Sequence, residues 1–155
     1  MPARVIVAAL LCAALTAEAR ADGTRVAPVG DPVTLKACGE CHLAFPPAFL
    51  PARSWTALVD GQANHFGEDL ALPANDAAHI RAYLAGHAGD TAAGGGAPKF
   101  MRQVAPDGTP TGITENPAFL RKHNFADRVW ADPKVLTSSN CQACHAGAAQ
   151  GWFDD

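Results

Sequence analysis

The fold class this sequence predicts is mainly α, built as two small halves with long loops. Three observations carry it. Apolar residues recur at helical spacing behind N-cap signals, no long run alternates apolar with polar residues, and a Gly- and Ala-rich stretch divides the chain. A length of 155 residues leaves room for one ordinary domain or two very small ones.

Residues 1–21 read as a secretory signal peptide. Met1 to Arg4 form a short basic start, Val5 to Ala17 an apolar run, and Ala19-Arg20-Ala21 a small-x-small cleavage site. Cleavage after Ala21 predicts an exported protein, most simply in a bacterial periplasm, and removes Cys12. Leu11 precedes that cysteine where a lipoprotein would carry a small residue, which argues against lipidation. No later segment has the apolar length that a bilayer span needs. Losing Arg4, Arg20 and Glu18 takes the formal charge from −3 to −4. That disfavours nucleic acid and favours a partner docking through a basic or neutral face. The chain is expected to act as a monomer.

Residues 22–88 form the predicted N-terminal unit. Asp31-Pro32 is an N-cap followed by a first-turn proline, opening a helix that runs towards Cys38. A proline-punctuated loop, Phe45 to Pro51, follows. Ser54 is expected to cap a second helix, whose stripe of Trp55, Leu58, Val59, Gln62 and His65/Phe66 ends at His65. A third helix is expected from Asn75-Asp76, with Ile80, Tyr83, Leu84 and His87 on one face. Residues 89–98, with Gly94-Gly95-Gly96 at their centre, read as a linker.

Residues 99–155 form the second unit. Ala105 to Gly112 is turn-rich, and Asn116-Pro117 repeats the cap-plus-proline signal. Phe119 and Leu120 lie four and three residues before His123 and share its face. A last helical turn carries Cys141 to His145. Each half has about sixty residues, too few for a comfortable core without a staple.

Four of the five cysteines survive cleavage, and they fall in two copies of Cys-x-x-Cys-His: Cys38, Cys41 and His42, then Cys141, Cys144 and His145. This is the attachment pattern of c-type haem. Two thiols three positions apart on one side of a turn each add to one haem vinyl group, and the next residue sets its imidazole beneath the iron. A thioredoxin-like redox pair needs a βαβ context that is absent. A zinc site would join pairs about a hundred residues apart and leave both histidines unexplained, as would two disulfides. Two covalently attached c-type haems are therefore predicted. They also supply apolar mass that the two halves lack.

The second axial ligand of each iron decides between electron transfer and ligand chemistry. Only Met101 survives cleavage among methionines, so at least one haem lacks methionine. Of the remaining histidines, His65 is the candidate for the first haem and His87 its rival, while His79 points off the apolar face. His123 is the candidate for the second. Two low-potential, low-spin, bis-histidine haems follow. The aromatics Trp55, Tyr83, Trp130 and Trp152 read as core or haem packing.

Four blocks, CGECHLAFPPAFLPARSW, NHFGEDL, ITENPAFLRKHNF and PKVLTSSNCQACHAGAAQG, resemble in order the small periplasmic dihaem cytochromes c of the DHC family. The resemblance implies an N-terminal domain similar to class I cytochrome c and a C-terminal haem domain of extended, loop-rich form. It implies iron ligation by His42 with His65 and by His145 with His123. It also implies electron donation to an oxygen-binding monohaem cytochrome c of the SHP type, and association with a membrane cytochrome b. The expected function is electron transfer without catalytic turnover. The competing functions, a dihaem peroxidase or a gas-binding haem sensor, both need an open or readily vacated iron.

Overall fold

A computed structural model of the chain describes residues 24–91 and 98–153. The signal peptide over 1–21 and most of the 89–98 linker lie outside the described residues.

The first helix, α1 (Pro32–Gly39), starts as its local signal predicts. The Asp31 carboxylate accepts the backbone N–H of Thr34 at 2.8 Å and its hydroxyl at 2.7 Å, with Pro32 in the first turn. The loop after it is buried, with Pro46, Leu50 and Pro51 almost wholly enclosed. Here the Trp55 indole N–H donates to the Pro47 carbonyl at 2.7 Å, so the proline loop and the second helix hold each other.

That second helix, α2 (Ala52–Asp60), departs from expectation at both ends. Ser54 is not its cap: it lies buried inside the first turn, and Pro51 holds the cap position. Capping comes from far along the chain instead. Asp90 accepts the Ala52 N–H at 2.8 Å and lies 3.6 Å from Arg53. At the other end Gly61 stops the helix. His65 therefore does not continue the α2 stripe. It follows a 3₁₀ turn, Gln62–Asn64, and forms a β-bridge with Glu68.

Helix α3 (Ala74–Gly86) begins one residue before the predicted start and packs on both α2 and α1. Leu50, Trp55, Val59, Ile80, Leu84 and Ala88 form the first core cluster, against which Ala37, Cys38 and Phe45 also pack. The α1–α3 contact is reinforced at the surface, where the Tyr83 hydroxyl accepts the Gly30 N–H at 2.9 Å.

The second half is short-jointed. Among the described residues it contains α4 (Pro98–Met101), α5 (Pro117–Lys122), α6 (Asp127–Trp130) and isolated 3₁₀ turns. Asn116 caps α5 as predicted, its side chain accepting the Ala118 N–H at 2.8 Å. Two-residue strands, β1 (Thr24–Arg25) and β2 (Trp152–Phe153), pair antiparallel and join the start of the described chain to its end. Lys99 donates to the Thr24 hydroxyl beside them.

The halves share a second core cluster. Val26, Ala48 and Phe49 pack with Phe45, Phe100, Ile113 and Phe153. Across the same seam the Asn116 amide donates to the Phe49 carbonyl at 2.7 Å. Arg53 donates to the carbonyls of Gly108 and Ala105 at 2.6 and 2.9 Å.

Candidate haem-binding sites

Each Cys-x-x-Cys-His motif stands on a helical turn. Cys38 lies in the last turn of α1, half-buried against the first core cluster, while Cys41 and His42 follow past the helix end. In the second motif Cys141–Ala143 form a 3₁₀ turn, and the His145 N–H donates to the Cys141 carbonyl at 2.8 Å. The Asn140 amide ties that turn to the Val135 carbonyl at 2.9 Å. None of these four cysteines is joined to another by a disulfide. Burial pushes the Cys38 and Cys141 thiols above their ordinary range.

Two histidine pairs face each other. The His42 and His65 ring centres are 6.2 Å apart with planes 23° from parallel. Those of His123 and His145 are 6.0 Å apart with planes at 77°. Two imidazoles bound through Nε2 to opposite sides of one metal, at about 2 Å per metal–nitrogen bond, hold their ring centres about 6 Å apart. Both pairs meet that spacing. Each has a Cys-x-x-Cys motif beside one of its rings, so the residues fit two c-type haems.

The outer nitrogens of two of these rings are held by backbone. His42 Nδ1 lies 2.7 Å from the Leu43 carbonyl, and His123 Nδ1 3.0 Å from that of Phe119. A carbonyl only accepts, so Nδ1 carries the proton and Nε2 is left with its lone pair for a metal. His65 is fixed by its main chain, giving its N–H to the Glu68 carbonyl at 2.7 Å and accepting the Glu68 N–H at 3.1 Å. Burial first, and the neighbouring His42 second, push the His65 imidazole below its usual value, which favours the neutral, ligating form.

The ring that the structure sets opposite His42 is that of His65, and the other candidates lie elsewhere. His79 lies 2.9 Å from the Asp31 carboxylate. His87, the rival for the first haem, is exposed at the end of α3, where its Nδ1 donates to the Tyr83 carbonyl at 2.8 Å and its ring lies over Tyr83. Met101 sits against Gly89. Among the described residues no three His, Cys, Asp or Glu side chains gather as a metal site, so the two cysteine pairs do not converge as a zinc centre would require.

Sequence reasoning passed over the aromatic shell. Phe45 stacks on His42 at 5.0 Å, Phe66 stands edge-on to His65 at 4.9 Å, and Phe153 flanks His145 at 5.7 Å. The signal that could have found two of them is local, since Phe45 and Phe66 lie within three residues of the histidine each touches. Phe153 reaches His145 only through the β1–β2 closure. Of the four aromatics read as packing, Trp55 is core. Trp130 flanks Phe119, His123 and Phe125, and Trp152 is largely exposed beneath the Arg25 guanidinium at 4.5 Å.

Residues 34–153 match the model of one protein family, dihaem cytochrome c (DHC). A dihaem cytochrome c from Rhodobacter sphaeroides is 43% identical with a TM-score of 0.73, over 82% of this chain and 99% of its own. DHC purified from the same organism is 41% identical with a TM-score of 0.68, over 81% and 99%. The dihaem cytochrome c of Shewanella baltica OS155 is 34% identical with a TM-score of 0.63, over 79% and 86%. No curated protein sequence matches the chain.

Proposed function

The chain belongs to the dihaem cytochrome c family, and from that premise we propose that it relays single electrons between periplasmic redox partners through two bis-histidine haems. Family membership brings two c-type haems and an electron-carrying role. When bound, each haem supplies a one-electron Fe(III)/Fe(II) couple. Cys38 and Cys41 hold one through thioethers, Cys141 and Cys144 the other. His42 with His65, and His123 with His145, would ligate the two irons.

The observation that carries the ligand assignment is the pair of ring separations, 6.2 and 6.0 Å. With two imidazoles holding each iron, peroxide or a gas would have no position to enter. Without a thioether ligand, both potentials stay low. The N-terminal signal sequence supports export to the periplasm. Residues 22–88 and 99–155 each carry one haem, and the protein acts as a monomer. The four sequence blocks shared with the DHC family support an SHP-type oxygen-binding monohaem cytochrome c as electron acceptor and a membrane cytochrome b as associate.

Axial-ligand replacement tests the assignment. His65→Ala turns one haem high-spin in the visible spectrum and leaves the other low-spin, whereas His123→Ala does the reverse. His87→Ala changes neither. If His87→Ala instead frees the first haem, that ligand is His87 and the assignment of His65 is wrong.

A further inference from the structure

The two imidazole pairs share a separation but not an orientation. His42 and His65 are 23° from parallel, and His123 and His145 are 77° apart. The crossed arrangement has a visible cause on one ring. Phe119 lies one helical turn before His123 on α5, and the two rings overlie at 4.0 Å with planes only 9° apart. The Phe119 carbonyl also receives both the His123 backbone N–H at 2.9 Å and its Nδ1–H at 3.0 Å. Phe125 stands edge-on to the same imidazole at 5.8 Å, and Trp130 lies 6.4 Å away. The ring can neither spin about its Cβ–Cγ bond without losing the Nδ1 hydrogen bond nor tilt without losing the stack.

We propose that Phe119 is a positioning residue that holds the His123 ring crosswise to His145, giving the second haem near-perpendicular axial imidazoles while the first keeps near-parallel ones. The proposal rests on the ligation stated above. In low-spin ferric haem each imidazole interacts by π overlap with the iron d orbital perpendicular to its own plane. Parallel rings act on one of the two π-type orbitals and split the pair. Crossed rings act on one each and leave the pair nearly degenerate. Two sites with identical donor atoms thereby become electronically different through residues that never touch the metal. A ring fixed by both face and Nδ1 also keeps its plane in either oxidation state, so less rearrangement accompanies each electron.

Frozen-solution electron paramagnetic resonance of the holoprotein tests this, recorded fully oxidised and at potentials where one haem alone is ferric. Two low-spin signals are expected: an ordinary rhombic one, lost in His65→Ala, and a strongly anisotropic one with a very large highest g value, lost in His123→Ala. Phe119→Leu removes the stacked ring and should move or broaden the large-g signal while leaving the rhombic one in place. Phe119→Tyr keeps the ring and retains both. Should Phe119→Leu fail to load the second haem, Phe119→Ile makes the same comparison. Two rhombic signals in the unmutated protein, a large-g signal belonging to the first haem, or one indifferent to loss of the Phe119 ring would overturn the proposal while leaving bis-histidine ligation intact. A high-spin signal in the unmutated protein would instead overturn the ligation.

Discussion

Asn116 uses both ends of one amide. Its oxygen caps α5 and its nitrogen satisfies the Phe49 carbonyl across the seam, with the residue only 2% exposed. Asn116→Ala removes the cap and leaves a buried carbonyl unpaired, so we expect a loss of about 2–4 kcal/mol in denaturant unfolding. Asp31 does comparable work on α1, and its effect is legible through pH. The hydrogen bond from the Thr34 backbone, followed by that to His79, lowers its carboxyl from 3.8 to about 2. A depressed carboxylate stabilises the fold at all pH values above its ordinary one and loses that contribution as pH falls towards the folded-state value. Thermal midpoints of the native protein and Asp31→Asn should therefore differ by a constant amount above about pH 5 and converge between about pH 4 and 2. Both caps could be read from sequence because cap and helix are neighbours. Ser54 misled for the opposite reason, as the group that caps α2 is Asp90, thirty-eight residues after the Ala52 whose N–H it accepts.

At the scale of elements, the β1–β2 pair closes the molecule on four residues. Strands this short carry no alternation to read, so the sequence held no sign of them. Gly151 makes the closure. Its φ is +80°, its carbonyl accepts the Val26 N–H at 2.9 Å, and a Cβ there would run into the Val26 carbonyl. Gly151→Ala combines a left-handed backbone with that collision, at an expected cost of about 1–3 kcal/mol. Hydrogen exchange should show amides 24–26 and 151–153 opening first, with α2 and α3 unchanged. The end of α2 shows where periodicity overreaches: the apolar spacing continues to His65, but Gly61 breaks the helix, and the β-bridge with Glu68 is what sets His65 in place. The residue was legible as a ligand candidate while the element presenting it was not.

For the whole molecule, the attachment motifs and the helical character were plain in the sequence, because each depends on contacts within a few residues. The pairing of His65 rather than His87 with His42 is a tertiary fact, as is the core in which Phe49 from the first half meets Phe100 and Phe153 from the second. The two clusters are small, and one ring beside each histidine pair stands exposed, Phe66 by 70% and Phe125 by 47%. A planar apolar group clamped between each pair would cover such rings, which ties the fold to the cofactors the family carries. The central claim is that both irons are closed by two histidines. Its most direct test is the visible spectrum of the unmutated holoprotein, oxidised and dithionite-reduced, with and without carbon monoxide. Low-spin spectra for both haems in both oxidation states, unmoved by the gas, are the predicted result. A high-spin ferric component, or a shift of the reduced Soret band on adding carbon monoxide, would contradict it.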